Sequence, residues 1–158
     1  MSTDSIPIKG LCDADWASDP EDRISTSGAA IYFATNLVSW WSKKQQIVAR
    51  SSTEAEYRSL AQATAEVSWI QTLLTELNVS FPTRIIFCDN ESVVSLSHNP
   101  VVHSRTKHME IDVFSVPERV LAKQLLVCHI PAIDQWVDAS TKPLAPSRFM
   151  FLRQIHCG

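Results

Sequence analysis

At 158 residues, with 45% hydrophobic and 20% charged side chains, the chain has the composition of one globular domain spanning 1–158, long enough to form a core without staples. Its formal charge of −3 speaks against a general nucleic-acid coat, though not against a local basic groove. No apolar run approaches the roughly 20 residues of a membrane span. Residues 1–9 are polar and lack the apolar segment of a signal peptide, so no membrane association and an intracellular setting, cytoplasmic or nuclear, are expected. Cys12, Cys88, Cys128 and Cys157 form no CxxC pair, and buried free thiols are the expected state.

Residues 6–12 alternate as a strand does and lead through Asp13, Ala14, Asp15 and Trp16 into a polar turn at 18–22. Two apolar, aromatic-rich runs, 29–34 and 37–42, flank Thr35-Asn36 and predict a β-hairpin. Trp40 and Trp41 are read as core residues, as is Trp69 further on. Residues 43–46 form a basic, polar connection to one long helix, predicted from about 53 to 77.

That helix opens on Ser51-Ser52-Thr53-Glu54-Ala55-Glu56-Tyr57. From Glu56, the residues Leu60, Ala63, Val67, Ile70 and Leu74 recur at intervals of four and three, the stripe of a helix facing a core. An acid therefore heads an apolar stripe, where it is costly unless paired, protonated or bound to metal. Glu54 lies roughly 200° of rotation away. With Ser51 as N-cap, Glu54 fits a capping box, and Arg58 stands four residues on as its ion-pair partner.

Residues 84–88 are a continuous apolar run, predicted as a strand buried on both faces, and they end at Asp89. A short helix over 92–97 stops before Pro100, and a second helical segment runs from 106 to about 122, kinked or restarted at Pro117. Residues 125–130 predict the last strand, closed by Pro131, and 134–140 and 146–154 predict two short helices. A hairpin followed by β-α-β crossovers gives an α/β domain with a mixed sheet.

Asp13 at the end of the first strand, Asp89 at the end of the fourth and Glu56 between them can converge in the crevice at the strand ends, with Asp138 joining from after the last strand. Such acids repel, by about 4 kcal/mol at ~4 Å and an effective dielectric near 20. A divalent cation removes that cost, and sparse carboxylates open to solvent suit magnesium. Two such ions would serve phosphodiester cleavage. Strand-end caps and surface charges are the other reading of the same spacing.

The strings CDADWASD at 12–19, RISTSG at 23–28, VSWWSKKQQIVARSSTEAEY at 38–57, FCDNESV at 87–93, SRTKHMEID at 104–112 and QWVDASTKPL at 135–144 closely resemble the ribonuclease H domain of copia-type retrotransposon Pol polyproteins. The likeness covers nearly the whole chain, in order. It implies a ribonuclease H-like fold, a five-stranded mixed sheet flanked by helices, and metal-dependent hydrolysis of the RNA strand of RNA–DNA hybrids. The family's catalytic, metal-holding acids correspond to Asp13, Glu56, Asp89 and Asp138, with two magnesium ions, or manganese, as cofactor. Asp15 is expected as a loop or cap residue facing away from Asp13.

Lys43, Lys44, Arg105, Lys107 and His108 are expected at phosphates, and Asn90, Ser51, Ser52 and Gln45 at backbone or 2′-hydroxyl groups, with ordinary solvated surface as the other reading of each and a structural histidine as an equal reading of His108. Trp16 and Trp136 are expected near the site. A reverse transcriptase domain of the same polyprotein is the expected protein partner. A catalytically silent, nucleic-acid-binding remnant of the domain is the alternative. Against the family pattern, 131–137 holds no histidine, Ile24 stands where relatives often show arginine, and Pro117 interrupts a helix.

Overall fold

The computed structural model describes residues 7–80, 84–98, 116–120 and 122–131. Its elements run β1 (Ile8–Asp15), β2 (Thr26–Phe33), β3 (Asn36–Lys44), α1 (Ser52–Glu76), β4 (Arg84–Cys88), α2 (Glu91–His98) and β5 (Leu126–His129). The five strands form one sheet in the order β3-β2-β1-β4-β5. The first three are antiparallel neighbours, whereas β1, β4 and β5 run parallel, so the mixed sheet expected from the element order is present. Residues 116–120 are helical and lead into β5 through a turn at Lys123, which takes a φ of 57°. The predicted helix from 106 is thus described only over its last turns, and the two C-terminal helices lie outside the described residues.

Local chemistry explains the boundaries. Ser51 caps α1, its hydroxyl accepting from the Glu54 amide at 3.1 Å. The helix ends at Leu77 in a Schellman turn: Asn78 adopts a φ of 57°, and the Val79 amide reaches back to Leu74 O at 2.9 Å. In the hairpin, Ala34 takes a φ of 57° at the turn, and Val38 is an extra residue, because Ile31 faces Ser39 while Tyr32 faces Leu37.

The helix α1 lies across one face of the sheet. Leu60, Ala63, Val67 and Ile70 pack there with Ile8, Cys12, Ala29, Ile31, Ile86 and Val127. Gly10 leaves room for the side chains of the flanking strands beneath the helix, since a Cβ there would meet Ile31 Cδ1 at 3.1 Å and Ile86 Cγ1 at 3.3 Å. The alternate residues Leu11 and Ala30 point to the other face, with Tyr32, Phe87 and Ile130. In β4, Ile86 is fully buried while Ile85 and Phe87 are half-buried, so the strand is less enclosed on its second face than its apolar run predicts.

Two tryptophans depart from the core expectation. Trp41 packs against the α1-side core opposite Ala29, but Trp40, its alternate on the edge strand β3, is 59% exposed. Trp69 is 61% exposed because it falls roughly 200° from Val67, off the buried stripe.

Candidate active site

Three elements deliver one acid each to the same end of the sheet. Strand β1 runs past Asp13 to Asp15, three residues beyond the predicted strand, and pairs Asp13 with Gly28 of β2. Asp89 directly follows β4, and Glu56 lies in the first turns of α1. One carboxylate oxygen from each of Asp13, Glu56 and Asp89 lies within 4.8 Å of the others. Asp13 and Glu56 are buried, whereas Asp89 is half-buried and forms the open side.

The backbone fixes this arrangement. The Ala14 amide donates to Glu56 Oε2 at 3.2 Å, which ties the helix to the strand beside Asp13. One turn on from Glu56, the buried Ser59 hydroxyl donates to Asp13 O at 2.7 Å and lies 3.3 Å from Gly28 O. Neither contact has a counterpart in the sequence motifs; the available signal for Ser59 was its place three residues after Glu56, on the same side of the helix. Glu54 points elsewhere, its carboxylate accepting from Arg58 Nη2 and from the Arg50 amide, both at 2.8 Å. The separation of the two glutamates thus follows from helical geometry.

Asp15 corrects its expectation. Because β1 continues through it, two-residue alternation puts Asp15 on the same strand face as Asp13. Next to it, the Trp16 indole donates to Ala49 O at 3.0 Å, pinning the approach to α1.

The expected substrate contacts divide. Gln45 is corrected: it is buried, and its amide nitrogen donates to Ser27 Oγ at 2.8 Å and Ala55 O at 2.9 Å, joining β2 to α1. Ser51 is engaged as the helix cap and Ser52 is exposed beside it. Asn90 Oδ1 accepts from the Val93 amide at 3.2 Å and so caps α2. Lys43 is exposed, its amine 4.7 Å from the Trp41 ring centre. Asp138, Arg105, Lys107, His108 and Trp136 lie outside the described residues.

Lys44, read as a phosphate contact, is bound to Asp19 at 2.6 Å and Asp22 at 2.5 Å, tying the loop after β1 to the end of β3. The ammonium holds both carboxyls below their ordinary value, and they hold the lysine above its own. Depressed carboxyls stabilise the fold above their unfolded value of about 3.9, and that contribution is lost as pH falls through the lowered folded values. Lys44→Met is therefore expected to lower the melting temperature slightly near pH 7, with the difference from the parent closing below about pH 4. Melting curves across that range check it; a difference that persists at low pH contradicts the ionic account.

Two thiols adjoin the acids. Cys12 Sγ and Cys88 Sγ lie 3.1 Å apart, both buried, and the contact with Cys88 followed by burial pushes the Cys12 thiol up. Cys12 and Cys88 are buried free thiols, Cys128 is a free thiol that is only half-buried, and Cys157 lies outside the described residues.

No protein-family model matches the chain. It is 45% identical over 147 residues to the Pol polyprotein of transposon RE1 of Arabidopsis thaliana, covering 92% of this chain and 10% of that protein. Its sequence relatives are thus Pol polyproteins of copia-type retrotransposons. A second Arabidopsis thaliana Pol polyprotein, of transposon RE2, is 44% identical over 153 residues, covering 96% of this chain and 10% of that protein. That of transposon TNT 1-94 of Nicotiana tabacum is 33% identical over 148 residues, 94% and 11% of the two chains. The chain therefore spans about a tenth of the length of these relatives.

Solved structures carry the same fold. The ribonuclease H1 called LC11, from a compost metagenome, superposes with a TM-score of 0.57 at 16% identity, covering 85% of this chain and 92% of that one. The N-terminal ribonuclease H domain of a Mycobacterium tuberculosis protein, fused to maltose binding protein, gives 0.53 at 14% identity over 96% and 99%. The foamy viral protease-reverse transcriptase, solved in complex with an RNA/DNA hybrid, gives 0.53 at 14% identity over 92% and 20%. Among the described residues, no helix is long and apolar enough to cross a membrane.

Proposed function

We propose that this chain is a metal-dependent endonuclease that hydrolyses the RNA strand of RNA–DNA hybrids. The observation that carries the reading is the convergence of Asp13, Glu56 and Asp89 within 4.8 Å on a ribonuclease H fold. Three hard carboxylate donors with one half-open side match what magnesium or manganese requires. Asp13, Glu56 and Asp89 would hold the metal, with Asp138 as the fourth acid. Two bound divalent ions would supply an activated water and charge stabilisation at the leaving oxygen.

The chain's own part is to hold acids that repel one another. Sheet pairing and Ser59 fix the Asp13 backbone, and the Ala14 amide fixes one oxygen of Glu56. Asp89, half-buried, is the most open of the three acids. Lys43, Ser52 and the amide nitrogen of Asn90 are proposed to contact the hybrid along its backbone and 2′-hydroxyls, with Arg105, Lys107 and His108 completing the grip. Such contacts read shape, so little sequence preference is expected. A reverse transcriptase domain is the proposed partner, as the Pol relatives and the hybrid-bound foamy viral protein support.

The test is release of RNA fragments from a labelled hybrid. Cleavage is expected with magnesium, and its loss with chelator or with Asp89→Asn. A parent protein that cleaves no better than Asp89→Asn sinks the enzymatic reading; salt-sensitive hybrid binding without turnover would then identify a silent binding module.

A further inference from the structure

The buried nucleophilic groups that the proposed chemistry leaves unused are Cys12 and Cys88. Each directly precedes a site acid, Cys12 before Asp13 in β1 and Cys88 before Asp89 at the end of β4. The strands are parallel neighbours with Leu11 opposite Phe87, so the two cysteines come side by side one residue later. Both belong to the core on the α1 side, and their sulfurs are 3.1 Å apart. Hydrogen-bonded strands lie about 4.8 Å apart, inside the range of roughly 4.4–6.8 Å between the Cα atoms of a cystine.

We propose that Cys12 and Cys88 form a reversible oxidation site, closing to a cystine under a peroxide and weakening magnesium binding at the adjoining acids. The cross-link depends on the thiols alone; its effect on the metal rests on the metal-dependent reading above. In the first step one sulfur attacks a peroxide oxygen, the O–O bond breaks, and a sulfenic acid and a water result. The second sulfur then displaces the sulfenic oxygen, which leaves as water with the remaining thiol proton, and the S–S bond forms. The thiol pair gives up two electrons and hydrogen peroxide becomes two waters. A dithiol restores the two thiols by exchange, itself becoming a disulfide.

Burial slows the first step, which suits a small oxidant, while contact between the sulfurs favours the second. An S–S bond is about 2.05 Å long, so the sulfurs must close by roughly 1 Å. The sheet ladder already fixes the strand separation. The adjustment falls on the side chains and on the next peptide of each strand, which carry Asp13 and Asp89. Magnesium demands near-ideal octahedral geometry at about 2.1 Å, so it tolerates such a shift poorly.

The experiment treats the purified chain with hydrogen peroxide, blocks remaining thiols and maps the peptides by mass. A Cys12–Cys88 linked peptide is expected, two hydrogens lighter than the free pair, reversed by dithiothreitol and absent from Cys88→Ala. The linked protein should need at least about tenfold more magnesium for hybrid cleavage and for magnesium-induced thermal stabilisation. Cys88→Ala should keep both responses after peroxide. Oxidation of Cys128 without the linked peptide overturns the proposal, as does a linked peptide with unchanged magnesium response. A reduced parent with no magnesium response at all removes the metal reading and this consequence with it, while the linked peptide decides the thiol pair independently.

Discussion

Glu56→Gln is expected to abolish magnesium-dependent hybrid cleavage while leaving the fold intact. The substitution keeps the shape of a side chain that is only 8% exposed, and a glutamine oxygen can still accept from the Ala14 amide. What it removes is one of three charges gathered within 4.8 Å. In metal-free buffer that removal relieves repulsion, about 3 kcal/mol per pair at this separation and an effective dielectric near 20, so thermal stability should hold or rise. For metal-dependent chemistry the same removal is severe. A loss of at least about 10³-fold in rate, equivalent to roughly 4 kcal/mol of transition-state stabilisation, is expected.

Glu54→Gln supplies the comparison. Its carboxylate serves Arg58 and the Arg50 amide, so the cost should be stability, up to about 1 kcal/mol, with cleavage near the parent's. Cleavage rates and melting temperatures measured on both variants separate the two acids. Equal loss of cleavage in both, or retained cleavage in Glu56→Gln, would contradict the assignment.

The division between these glutamates was legible in the sequence because helical periodicity is a strong, local signal. So were the sheet, the hairpin and the placing of Asp89 after a buried strand. The end of β1 lies further on than predicted: Asp13 and Asp15 are turn-forming residue types, yet antiparallel pairing with β2 extends the strand to Asp15. For Gln45 and Lys44 the expectation of substrate contact comes with the family likeness. Their partners, Ser27 and Ala55 for one and Asp19 and Asp22 for the other, lie 10 to 25 residues away in sequence, and nothing local announces them. The thiol contact is longer in range still, 76 residues, and appears only once β1 and β4 are known to be neighbours.

Leu60→Ala should be the most damaging single change to stability among the residues of α1. Leu60 is fully buried one turn after Glu56 and packs into the core between α1 and the sheet. Removing its branched end takes away transfer free energy and leaves a cavity that the rigid sheet cannot fill, a cost of about 3–4 kcal/mol. Against a total of roughly 5–15 kcal/mol that is a large share, and in a domain of this size it lowers the melting temperature by about 10 °C. Trp69→Ala removes a larger side chain from the same helix, but one that is 61% exposed, and should cost less than about 1 kcal/mol. Denaturant midpoints for the two variants read the orientation of α1 directly. If Trp69→Ala proves the more costly, the helix is rotated from its described position, and Glu56 no longer faces Asp13 and Asp89.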